Sequence, residues 1–187
     1  MKSIVDLNTS YLHSIVSDEI IEFHAGRILI LIGICGVKNR INGGISLKGL
    51  TKFAKLDFFI RYPHHFRTAS LHLGFEVDVN FNVTESKMIR FHYGPWDDRY
   101  NQVLPYLMAR GLLKMEKEGK GYILTLTQEG VGIYNLLSKM EEFKTIIIKT
   151  KAVKKVMGSK SGSFLKNMIY ELFIDEVSNK KLKEIIS

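Results

Sequence analysis

Apolar residues along this chain fall into alternating stretches of helical and strand periodicity, and their order predicts the architecture. Residues 1–16 have weak periodicity and read as an N-terminal arm. Ser17, Asp18 and Glu19 then supply a cap oxygen and early acids, which suit the exposed N–H groups and dipole of a helix start. That helix runs to about Cys35. Ile20, Ile21, Phe23, Ile28, Leu29, Leu31 and Ile32 make it apolar nearly all round towards its end, the mark of a central buried helix. Gly36 and the turn residues through Gly43-Gly44 stop it. A second helix is predicted over 47–61, with Leu50, Phe53, Leu56 and Ile60 on one stripe and Pro63 closing it.

The stretch 75–83 alternates apolar and polar residues and is predicted as a strand, with 87–93 its candidate hairpin partner. Gly94-Pro95 breaks the chain. Beyond it, Asp97 or Asp98 caps a helix carrying Tyr100, Val103, Leu104, Leu107 and Met108, which Pro105 is expected to kink. Residues 112–117 and 122–127, around Glu118-Gly119-Lys120-Gly121, read as a β-hairpin, and Thr127 caps a helix through Met140. Helix, helix, helix, hairpin, helix is the order of a winged helix. Next, Phe143, Ile146, Ile147, Val153, Val156 and Met157 line a helix that Gly158 terminates. Ser163 is read as the start of another, with Phe164, Leu165, Met168, Ile169, Leu172 and Phe173 as its stripe, and 179–187 is a basic tail and a candidate short helix. The predicted fold class is α+β, mostly α. It comprises the arm 1–16, a winged-helix body 17–140 with a strand or hairpin insert near 75–93, and a C-terminal helical extension 141–187.

Composition narrows the class. The 187 residues are 45% hydrophobic and 25% charged, the balance of a globular chain with a core of its own. One cysteine, Cys35, excludes a disulfide framework and a cysteine-based zinc site. The longest apolar run, 28–37, is short of the roughly 20 residues that span a bilayer, and the first residues turn polar before a signal-peptide core forms. A reduced, cytoplasmic protein with no membrane partner is expected. The 27 Lys and Arg against 19 acids give a net charge of +8, which favours nucleic acid or an acidic protein surface as partner.

Catalytic chemistry finds no constellation. The histidines at 13, 24, 64, 65, 72 and 92 lack ligand spacing, and the adjacent His64-His65 point apart on any regular element. Asp97 and Asp98 sit where a helix cap is wanted. The glycines fit neither a Walker loop nor a dinucleotide fingerprint, and no serine lies in a nucleophile elbow. No metal, cofactor, small-molecule substrate or enzymatic activity is expected.

A winged helix places its third helix in the major groove and its wing on phosphates. The candidate nucleic-acid contacts are therefore Arg99, Asn101 and Gln102 at the helix start, Lys114, Lys117 and Lys120 on the wing, and Lys151, Lys154 and Lys155 in the basic C-terminal segment. Asp97 and Asp98 put negative charge where phosphates would lie, which favours a protein partner instead. Trp96, Tyr100, Phe164, Met168 and Phe173 are the candidate partner anchors; for each, a place in the core is the competing role.

Three segments carry a family resemblance. They are Phe23-His24-Ala25-Gly26-Arg27, the run 49–63 that begins Gly49-Leu50-Thr51-Lys52-Phe53-Ala54-Lys55 and ends Arg61-Tyr62-Pro63, and Tyr93-Gly94-Pro95-Trp96-Asp97-Asp98-Arg99-Tyr100. They resemble the small middle component of ABC-three-component defence systems, including the Lamassu type, and the ending 161–173 is similar as well. The likeness covers about residues 17–176. It implies a non-enzymatic accessory subunit that sits beside an SMC-like ATPase and couples it to an effector, often a nuclease, with double-stranded DNA engaged through the complex. The alternative, from a different class, is a free-standing winged-helix transcription regulator that reads duplex DNA as a dimer.

Overall fold

A computed structural model describes residues 20–40, 43–77 and 87–186. The arm at 1–16 and the cap at Ser17 lie outside the described residues, as do positions 78–83 of the predicted strand. Helix α1 (Ile21–Cys35) is the spine of the molecule, with every residue from His24 to Ile32 buried. It can be apolar all round because it is covered all round: helices, described below, and the sheet pack against different faces of it.

After a two-residue strand β1 (Val37–Lys38), the chain forms β2 (Ile45–Lys48), and α2 (Leu50–Arg61) follows. The second helix was expected from 47. Residues 45–48 instead alternate inward Ile45 and Leu47 with Ser46 and Lys48, and Gly49, at φ +89, turns the strand sharply into the helix. Pro63 does end α2, yet it also opens α3 (Pro63–His72), since a proline at the first helical position loses no needed N–H.

Among the described residues, the stretch 87–93 pairs with the segment that follows it. β3 (Ile89–Phe91) pairs antiparallel with β4 (Gly94–Trp96), and Phe75, Glu76 and Val77 carry no regular structure. Gly94-Pro95, expected as a break, lies within β4; a two-stranded sheet leaves an edge where a missing N–H costs nothing. Helix α4 (Tyr100–Ala109) runs through Pro105. The second hairpin matches expectation, with β5 (Leu113–Glu118) and β6 (Gly121–Leu126) joined by Gly119-Lys120. β2 pairs with the free edge of β6, so the main sheet has the order β1-β2-β6-β5, all antiparallel.

Thr127 caps α5 (Gln128–Leu137), its hydroxyl accepting from the Gly130 N–H at 3.0 Å. Gly130 has no alternative: a Cβ there would lie 2.0 Å from the Leu112 carbonyl oxygen. Helix α6 (Lys144–Met157) ends at Gly158 as expected, and α7 (Gly162–Leu172) is capped by Ser161, two residues before the expected Ser163. Helix α6 packs on α1 and α2, α7 packs on α2 and α3, and together they complete one hydrophobic core. The basic tail forms no α-helix over its described residues. Ile185 bridges Ile89, and Ile186 is buried where its N–H meets the Met88 carbonyl and its carbonyl accepts from the Tyr62 hydroxyl. The molecule is thus α+β and mostly helical, with a small antiparallel sheet at one side.

Candidate partner and nucleic-acid interface

The start of α4 is held by a knot of buried charge. Asp57 on α2 pairs with Arg27 of α1 and with Arg61 one turn along its own helix, at 3.5 Å. Asp97, just before α4, receives Arg61 at 2.6 Å and Arg99 at 2.9 Å, with Arg27 at 3.7 Å. Tyr100 donates its hydroxyl to Asp57, and Arg99 also donates to Nε2 of His24 at 2.9 Å. Arg27, Asp57, Arg61 and Asp97 are all buried. Burial alone would push the Asp97 carboxyl up; the hydrogen bond from Arg99 and the charges of Arg61 and Arg99 overcome it and hold it at about 2. The knot ties α1, α2 and α4 together, so the orientation of α4 is set by ionic contacts made inside the protein.

This arrangement decides several predicted site residues. Asp97 does not confront phosphate, because its charge is consumed internally. Arg99 is half-buried on Asp97 and His24, which leaves Asn101 and Gln102 as the exposed candidate base readers on the first turn of α4. Tyr100 was a candidate partner anchor and is 1% exposed; its ring packs on Phe53 and its hydroxyl is spent on Asp57. Met168 and Phe173 are likewise buried in the chain's own core, Phe173 with its ring 4.5 Å from that of His65. These three are not surface anchors, because the core needs their area. Trp96 is half-buried, stacked on Phe91 and edge-on to Tyr100, and Phe164 is exposed beneath the Lys160 ammonium.

The lysines separate by place. Lys114, Lys117 and Lys120 are exposed on the β5–β6 hairpin, where Glu116 and Glu118 alternate with them, and Glu118 pairs with Lys48 at 3.0 Å. Lys114 borders a shallow depression shared with Glu116 and Glu129. On α6, Lys151 and Lys155 share one exposed stripe with Lys144 and Ile148, while Lys154 lies to the side nearer Cys35. Lys149, part of the same basic segment, is buried. Hence the hairpin carries a mixed surface, and the α6 stripe is the more uniformly basic one.

Sequence reasoning passed over Lys55. It is 1% exposed on α2, and its ammonium donates to the Pro95 carbonyl at 2.9 Å. Burial, reinforced by the cations Lys166 and Arg90, pushes it down to about 7. The signal for Arg27 was a lone cation inside a strongly apolar helix, where a charge is costly unless something answers it; Lys55 shares α2 with Lys52, Asp57 and Arg61, so nothing in the sequence set it apart. Among the described residues, no cluster of three or more His, Cys, Asp or Glu is placed to hold a metal ion, and no helix is long and apolar enough to cross a membrane.

Comparison with known proteins yields no match: no family model, no curated protein and no solved structure aligns significantly with the chain.

Proposed function

We propose that this chain is a non-enzymatic winged-helix adaptor of a prokaryotic defence complex, bridging an SMC-like ABC ATPase to an effector nuclease. The observation that carries the winged-helix part is topology. α1, β2, α2, α4, β5 and β6 follow one another with the sheet order β2-β6-β5 of a winged helix, while α3 and the β3–β4 hairpin form an insert between the second and third helices. The β5–β6 hairpin is then the wing. The family part rests on the resemblance, and its three principal segments supply every member of the ionic knot: His24 and Arg27, then Asp57 and Arg61, then Asp97, Arg99 and Tyr100.

The knot favours an adaptor over a base reader. With Arg99 held on Asp97, the third helix presents little positive charge at its start, and the wing lysines alternate with acids. An adaptor needs separable faces whose contacts differ between two states of the ATPase. The exposed apolar side chains Ile133, Leu136 and Met140 at α5, and the Lys151/Lys155 stripe on α6, are two such faces. A tagged pull-down from native cells, read by mass spectrometry, tests this: a large coiled-coil ATPase and a nuclease-like protein are expected. Recovery of the chain alone, or only with itself, overturns the adaptor role.

The exposed Asn101 and Gln102 favour the second reading, a free-standing winged-helix transcription regulator. It requires a dimer and an operator-sized footprint on duplex DNA, measured across a salt series.

A further inference from the structure

Between the β5–β6 turn, the start of α2 and the β3–β4 hairpin lies a cavity of about 330 Å³ that the adaptor role does not use. Its walls are largely aromatic: Phe91, Tyr93 and Trp96 come from the β3–β4 hairpin and Tyr122 from β6. Two lysines also line it, the buried Lys55 and the exposed Lys120. The remaining wall is the first turn of α2, capped by Gly49, which has no side-chain oxygen to offer the helix's leading N–H groups.

Lys55 is what makes this more than a groove. An ammonium carries three donors, and this one meets a single neutral carbonyl, that of Pro95. The charged groups that act on it are Lys166 and Arg90, so its surroundings repel it, and among the described residues no carboxylate answers it. The wall above is shaped to leave it room: Gly94, at φ +96, passes so close that a Cβ there would lie 3.3 Å from Lys55 Cε and 3.4 Å from Nζ. An aromatic cage for a cation would carry acids in place of two lysines, and an apolar ligand would leave Lys55 unanswered.

We infer that this cavity is a nucleotide site, in which a base stacks among Tyr93, Trp96 and Tyr122 and the phosphate is held by Lys55, Lys120 and the first N–H groups of α2. Every base has a face that stacks on an aromatic ring, and a helix N-terminus beside lysines suits phosphate. The volume falls within the range of small-ligand pockets, about 300–1,000 Å³. The nucleotide has two possible sources with the same chemistry, a free mononucleotide or an unpaired nucleotide in a strand.

Trp96 is the chain's single tryptophan, so its fluorescence reports on this cavity directly. The full chain is titrated with dAMP, with a short single-stranded oligothymidylate, and with a blunt duplex of the same length. A saturable change with dAMP is the result expected for a free nucleotide; a change with the single strand alone assigns the unpaired base. Lys120→Glu and Tyr93→Ala lie at exposed positions, and each is expected to weaken binding roughly tenfold. Lys55→Met is expected to do the same, with circular dichroism confirming its fold. Absence of a saturable change with either ligand at millimolar concentration overturns the proposal. So does a change that is indifferent to Lys120→Glu and Tyr93→Ala. Neither outcome depends on which proteins the pull-down recovers.

Discussion

Two buried charge sites lie within two turns of each other on α2, and they are built in opposite ways. At Asp57 and Arg61 each charge meets its opposite: two carboxylates face three guanidiniums, and a tyrosine hydroxyl and a histidine join them. At Lys55 the ammonium meets one carbonyl and two like charges beside an open cavity. A buried network of paired charges specifies structure, because removing one partner strands the others in low dielectric. A buried charge without a counter-ion gives up its proton more easily or takes a counter-ion from outside the chain. Burial alone therefore does not mark a functional residue; what answers the charge does.

The comparison breaks most sharply under mutation of the knot. Asp57→Asn leaves Arg27 and Arg61 short of a counter-charge in the core and is expected to cost about 3–5 kcal/mol, measured by urea unfolding. A loss below about 1 kcal/mol would mean that the network holds nothing in place. Lys55→Met, on the same helix, is expected to stay within about 1 kcal/mol of the parent, because it removes a charge with no counter-ion among the described residues. If it destabilises as much as Asp57→Asn, Lys55 is structural and the contrast between the two sites fails.

Titration sharpens the difference further. Lys55 has a folded value of about 7 against 10.5 for an exposed lysine. The folded protein therefore binds fewer protons than the unfolded chain between these values, and stability rises with pH through that window. The penalty is fully present below 7, and Lys55→Met should abolish this part of the slope in urea midpoints measured against pH. Asp97 acts in a separate window. Its folded value of about 2 lies below the ordinary 3.8, so its stabilisation is present above 3.8 and is lost as pH falls towards 2. His65, pushed down by burial to about 4 from 6.5, likewise loses stability for the protein as pH falls through 6.5 towards 4. The smallest effect belongs to the exposed pair Lys48–Glu118, at 71% and 55% side-chain exposure: Lys48→Ala is expected to leave the urea midpoint unchanged.

Much of the helical framework was legible because its signals are local. The buried spine α1 followed from apolar residues on all faces, α5 from Thr127 at its cap, and the end of α6 from Gly158. The β5–β6 hairpin was legible from alternation on both sides of a glycine turn. Strand β2 was not, because Leu47 stands three residues before Leu50 and so extends that helix's apolar stripe backwards, and the partner strand lies nearly 80 residues along the chain at β6. The β3–β4 pairing was hidden for the opposite reason: Gly94-Pro95 is a strong breaker, and only an edge position makes it acceptable in a strand. Of the candidate site residues, Asn101, Gln102 and the hairpin lysines were placed correctly on the surface from their elements alone. Tyr100, Met168 and Phe173 were not separable from core residues, since the same aromatic and apolar types serve an interface and an interior.

The amino-acid sequence by itself determined the helical periods, the cap at Thr127, the hairpin turn, the positive charge and the presence of cations within helices, because these depend on neighbours a few residues away. Only the tertiary structure decided which of those cations are answered. Arg27 meets Asp57 thirty residues on, Arg61 meets Asp97 thirty-six residues on, and Lys55, among the described residues, meets only the Pro95 carbonyl forty residues on. The energy of a buried charge is set by what lies within a few ångströms of it, and at such separations that is a property of the packed chain.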